Sequence, residues 1–74
     1  MYDKKAIRQA IADRLKKARE QAGYPSANLF CEQHNLPLEQ YLGYEEAKTV
    51  LNASTAMKYA KLMGVSLKYL LIGT

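Results

Sequence analysis

The sequence contains one cysteine, no tryptophan and no long apolar run, and its charges are segregated by sign. A lone Cys31 forms no internal disulfide, and the opening MYDKKAIRQAIADR lacks the apolar centre of a signal peptide; together these point to the cytoplasm. The longest uninterrupted apolar stretch is Tyr69-Leu70-Leu71-Ile72, far short of the roughly 20 residues that span a bilayer, so no membrane partner is expected. Residues 24–46 include no lysine or arginine, and residues 47–74 include no aspartate or glutamate. No internal repeat, linker or low-complexity segment interrupts the chain, so residues 1–74 read as one domain.

What is present suits a small globular fold. Of 74 residues, 49% are apolar and 24% charged, enough for a core of a few packed helices but not for a deep substrate cavity. An enzyme is therefore not expected, nor a small-molecule substrate or a cofactor. The net charge is +4, which permits a polyanionic partner. It is carried by seven basic against three acidic residues in 1–23 and by four lysines in 47–74, around a middle holding only Glu32, Glu39, Glu45 and Glu46.

Periodicity predicts five helices. Ile7, Ile11, Leu15, Ala18 and Ala22 recur every three or four residues, the stripe of an amphipathic helix over Asp3 to Ala22, with Asp3 as its N-cap and Gly23 as its stop. After the turn at Tyr24-Pro25-Ser26, the residues Ala27, Phe30, Cys31 and His34 share one face of a short second helix, which Asn35 can end in the left-handed conformation. Pro37 suits the first turn of a third helix, with Tyr41 and either Tyr44 or Glu45 turned to the core and Leu38, Glu39, Leu42 and Gly43 outward. Ala47 to Ala53 reads as a connection, after which Asn52 or Ser54 caps a fourth helix with Ala56, Tyr59, Ala60 and Met63 on its apolar face. Gly64 ends it, and Ser66 caps a fifth, Leu67 to Leu71, whose Tyr69, Leu70 and Leu71 close the core. The predicted class is an all-α compact five-helix bundle.

Three segments in this order resemble the Cro/repressor-type helix-turn-helix proteins of lambdoid phages and their bacterial relatives. They are Arg14-Leu15-Lys16-Lys17-Ala18-Arg19-Glu20-Gln21-Ala22-Gly23, then Tyr44-Glu45-Glu46-Ala47-Lys48 in place of that family's aromatic/leucine-Glu-x-Gly-Lys, and Gly64-Val65-Ser66-Leu67-Lys68-Tyr69-Leu70-Leu71-Ile72-Gly73-Thr74. The resemblance covers nearly the whole chain. It implies a lambda repressor-like domain with its helix-turn-helix at approximately 26–45, the third helix entering the major groove of double-stranded DNA. By position, Leu38, Glu39, Gln40 and Gly43 would face base edges. Ser26, Lys48 and Asn52 would contact phosphates, and Arg19 would pair with Glu45 in the core. A transcriptional regulator acting as a homodimer follows, since one short reading helix covers one half-site; Leu67 to Ile72 would either form the dimer surface or close the core.

The proposed reading face carries no cation. Glu39 can accept from the amino group of cytosine, Gln40 can pair with adenine and Leu38 can touch a thymine methyl, but Glu32, Glu39 and Glu46 would stand near a polyanion. The alternative is a helix-turn-helix scaffold that docks a protein through Leu38 and Leu42, as an antirepressor or antitoxin would, with little affinity for DNA. Cys31 and His34 stand three apart on one helical face, but two ligands do not make a metal site, and core packing is the better account. Tyr41, Tyr44, Tyr59 and Tyr69 likewise belong to the core rather than to a stacking platform for bases.

Overall fold

The computed structural model describes residues 4–73 and is all-helical: α1 (Lys4–Gln21), α2 (Ala27–His34), α3 (Leu38–Glu45), α4 (Ala53–Met63) and α5 (Leu67–Leu71). Helix α1 packs on α3 and α5, α2 on α3, and α4 on α5. The radius of gyration, 11.4 Å, matches the ~11 Å of a compact domain of this length. No described helix is long and apolar enough to cross a membrane.

Each helix begins or ends on a local signal. Ser26, Asn52 and Ser66 cap α2, α4 and α5, their side-chain oxygens accepting from Leu29 N (3.1 Å), Thr55 N (2.8 Å) and Tyr69 N (3.0 Å). Asp3, expected to cap α1, lies outside the described residues. Pro37 stands at the N-cap of α3, one position before the first turn expected for it, and gives no side-chain cap.

The helix ends share one geometry. The left-handed Asn35 (φ 55°) closes α2, with Leu36 N donating to Cys31 O at 2.8 Å. After α3 the same role falls to Ala47 (φ 61°): Ala47 N donates to Tyr44 O at 3.3 Å and Lys48 N to Gly43 O at 2.9 Å, the paired bonds of a Schellman motif. Ala47 is thus the one described residue with a positive φ that is neither glycine nor asparagine.

The core is built on Leu15, Phe30, Tyr41 and Leu70, all fully buried, with Ala18, Ala56, Tyr59, Ala60 and Met63 around them. Its centre is aromatic: Phe30 and Tyr59 each lie against Tyr41, at centroid distances of 5.2 and 5.3 Å. Leu51, in the connection between α3 and α4, is also buried. Nothing in the spacing around it marks it as core, because its burial depends on where the connection crosses the bundle.

Several sequence expectations need correction. The stripe of α1 is buried only in its middle. Ile7 is 44% exposed, and Ala22 is exposed because α1 stops at Gln21; Ala12 is buried instead, while Arg19 is buried as its expected pairing in the core requires. Leu38, expected to face outward, packs partly against the core, and Leu42 and Gly43 are half-buried. In α5 only Leu70 is fully buried; Tyr69 and Leu71 cover the core's edge, while Ile72 is 64% exposed.

Candidate nucleic-acid interface

Helices α2 and α3, eight residues each, are joined by Asn35-Leu36-Pro37 and held on α1 by a charge pair. Arg19 Nε stands 2.7 Å from Glu45 Oε2, and Arg19 Nη2 donates to Glu45 Oε1 at 3.4 Å. Both side chains are out of water, at 4% and 8% exposure. Arg19 Nη1 also donates to Tyr24 O at 2.7 Å, so one guanidinium ties the end of α1 to the α1–α2 turn and to the last residue of α3. Burial alone would lower the pKa of Arg19, but the hydrogen bonds to Glu45 and its charge outweigh burial, and the net direction is up. The orientation of α3 on α1 therefore rests on a hydrogen-bonded charge pair in a low-dielectric setting.

The same carboxylate acts on its neighbours. Burial first, and then Glu45, raise the pKa of the Cys31 thiol, which keeps it protonated and poorly nucleophilic. Burial, followed by the nearby Glu45 carboxylate, also raises the pKa of Tyr41, whose buried hydroxyl lies close to Glu45 but has no partner at hydrogen-bonding geometry among the described residues. His34 Nε2 and Tyr24 Oη lie 2.9 Å apart in a hydrogen bond, with the His34 ring packed on Phe30. These partners account for Cys31 and His34 as members of the core and its edge.

On the outer side of α3, Glu39 and Gln40 are exposed. Glu39 lies in the first turn, where a carboxylate interacts favourably with the helix dipole. Gln40 Nε2 donates to Tyr44 Oη at 3.3 Å, a local i, i+4 contact that restrains the amide. Gly43 has a packing reason of its own, since a Cβ there would meet Thr49 Oγ1 at 3.2 Å. Of the residues expected at base edges, then, Glu39 and Gln40 are presented outward, while Leu38 and Gly43 are partly turned into the fold.

The expected phosphate contacts divide similarly. Ser26 and Asn52 are exposed but already occupied as caps, and each leaves the first backbone N–H groups of its helix directed outward. Lys48 pairs with Glu46 across 3.1 Å at the surface. The pair is worth little to stability, but it tempers both charges. Of the four glutamates in 24–46, Glu45 and Glu46 have cationic partners, leaving Glu32 and Glu39 exposed without an ion pair among the described residues. The acidity facing outward is smaller than the sequence suggests.

Comparison with known protein families, curated proteins and solved structures finds no match to this chain.

Arg14 is a structural residue that sequence reasoning did not single out. Its Nε donates to Leu70 O at 3.0 Å and its Nη2 to Leu71 O at 3.1 Å, satisfying carbonyls at the C-terminal end of α5 across more than fifty positions of sequence. Only its place beside the buried stripe of α1, one position before Leu15, hinted at this. Lys4 and Arg8 belong to the cationic outer face that helical spacing gives α1, but their approach to Val50 depends on tertiary packing.

Proposed function

We propose that this chain is a repressor-like, sequence-specific double-stranded DNA-binding regulator in which α2 and α3 form a helix-turn-helix and α3 enters the major groove. The observation that carries this reading is the rigid presentation of α3. It is tied to α1 by the buried Arg19–Glu45 pair and backed by the Phe30–Tyr41–Tyr59 cluster, so that Glu39 and Gln40 project from a fixed support. An eight-residue helix is about 12 Å long, comparable with the ~12 Å width of the major groove. Gln40 would read adenine and Glu39 cytosine, while the N-terminus of α2 behind Ser26 and that of α4 behind Asn52 would receive phosphates. A homodimer would place two copies of α3 one DNA turn, roughly 34 Å, apart; the exposed Ile72 beside α5 supports a contact there.

The pairing of Lys48 with Glu46 and the uncompensated Glu39 favour a second reading, in which the exposed face of α3 docks a basic protein surface. Selection from a randomised double-stranded DNA pool, at low and then physiological salt, separates the two. Enrichment of a two-fold symmetric motif that persists at the higher salt supports the regulator. Retention without a motif, lost as salt rises, removes α3 from the groove and leaves the protein-docking reading.

A further inference from the structure

A groove of about 300 Å³ lies between the start of α1 and the α3–α4 connection, lined by Lys4, Ile7, Arg8, Ile11 and Val50. It is apolar at its walls, and among the described residues both of the charged residues that line it are cations. Ile7 and Val50, at 44% and 59% exposure, are two of the four large apolar residues left facing water among the described residues. Arg8 Nε is shielded from water and has no hydrogen-bond partner among the described residues, which is costly for a charged donor. Apolar surface and the side chains of two cations thus converge on one place.

We propose that this groove is a binding site for a small amphiphilic carboxylate, its chain lying on Ile7, Ile11 and Val50 and its carboxylate against Arg8 and Lys4. Charge complementarity selects the anion, because neither a cationic nor a neutral amphiphile would offer the Arg8 guanidinium an ionised acceptor. Size selects a short chain: at ~30 Å³ per water-sized group, the groove holds on the order of ten non-hydrogen atoms. So small and open a site gives affinity in the millimolar range. No residue of α3 takes part, so the site stands or falls independently of DNA binding.

The test is titration of the full chain with sodium octanoate, followed by NMR of the Ile7, Ile11 and Val50 methyl groups. Octylammonium supplies the same chain with the opposite charge, and acetate supplies the charge without the chain. Saturable shifts at those methyls are expected with octanoate, about tenfold weaker binding with octylammonium and none with acetate. Arg8→Gln should weaken octanoate by about tenfold, with the helical circular dichroism unchanged. If that variant does not fold, Lys4→Gln at its exposed position carries the same comparison. Equal binding of octylammonium would overturn the proposal, as would shifts centred on Met57 and Ile72. Groove methyls that move on diluting the protein alone would assign the groove to a second copy of the chain and overturn it as well.

Discussion

Replacing Ala47 by glycine should stabilise the fold, and the size of the effect follows from the backbone. Ala47 has φ 61°, and its own N–H and that of Lys48 close the last turn of α3 onto Tyr44 O and Gly43 O. An L residue in this left-handed region costs roughly 1–2 kcal/mol because Cβ crowds the carbonyl oxygen. Glycine removes that cost but makes the unfolded chain more flexible, which returns about 0.4–1 kcal/mol. The net expectation is a gain of about 0.5–1 kcal/mol. For a domain of this size, where 1 kcal/mol shifts the midpoint by about 4–8 °C, thermal unfolding should rise by about 2–8 °C. Circular dichroism at the helical band measures it, with Ala47→Val as the opposing control, since a β-branched residue in this region is a marked outlier and should lower the midpoint. An Ala47→Gly midpoint at or below that of the parent would refute the argument, and so would an Ala47→Val variant as stable as Ala47→Gly.

Arg19→Ala strands the Glu45 carboxylate and should cost about 3–5 kcal/mol. That is a large share of the roughly 4–11 kcal/mol expected of 74 residues, whereas Arg19→Met with Glu45→Leu should recover most of it; urea unfolding compares them. Tyr41→Phe removes a buried hydroxyl without a partner and should raise stability by about 1 kcal/mol, while a loss of that size would show the hydroxyl to be bonded. Burial raises the pKa of Tyr41, and that of Tyr59 up to about 12, so the folded state holds these protons after the unfolded chain has begun to lose them. Stability should therefore fall as pH rises above about 10, by up to about 1.4 kcal/mol per pH unit for each phenol, and Tyr41→Phe should make the decline shallower. An equally steep curve would refute a role for Tyr41. If α3 lies in the groove, Glu39→Gln should tighten binding to non-specific DNA by roughly fivefold, about the worth of one charge near a phosphate in water. Unchanged affinity in a titration at low salt would place Glu39 away from the backbone.

What the sequence determined by itself is local. The caps at Ser26 and Ser66, the left-handed Asn35 and the stop at Gly64 each involve groups within about five residues of one another, so spacing and residue chemistry suffice to find them, and for α4 they narrow the cap to Asn52 or Ser54, of which the structure uses Asn52. The apolar faces of α2 and α4 were legible because helical period alone brings Ala27, Phe30, Cys31 and His34 to one face and Ala56, Tyr59, Ala60 and Met63 to another. The Arg19–Glu45 contact, by contrast, came from family resemblance and not from any spacing, since twenty-six positions separate its partners. Tertiary structure alone decided the features that depend on which element crosses which. Leu51 is buried because its connection passes over the bundle, and Arg14 reaches the end of α5 because α1 packs on it. Leu38 turns partly inward because α3 is wedged between α1 and α2, which also left Glu39 and Gln40 as the outward residues of its first turn. Periodicity names the faces of a helix, but only packing against a neighbour sets how far along the helix each face is covered.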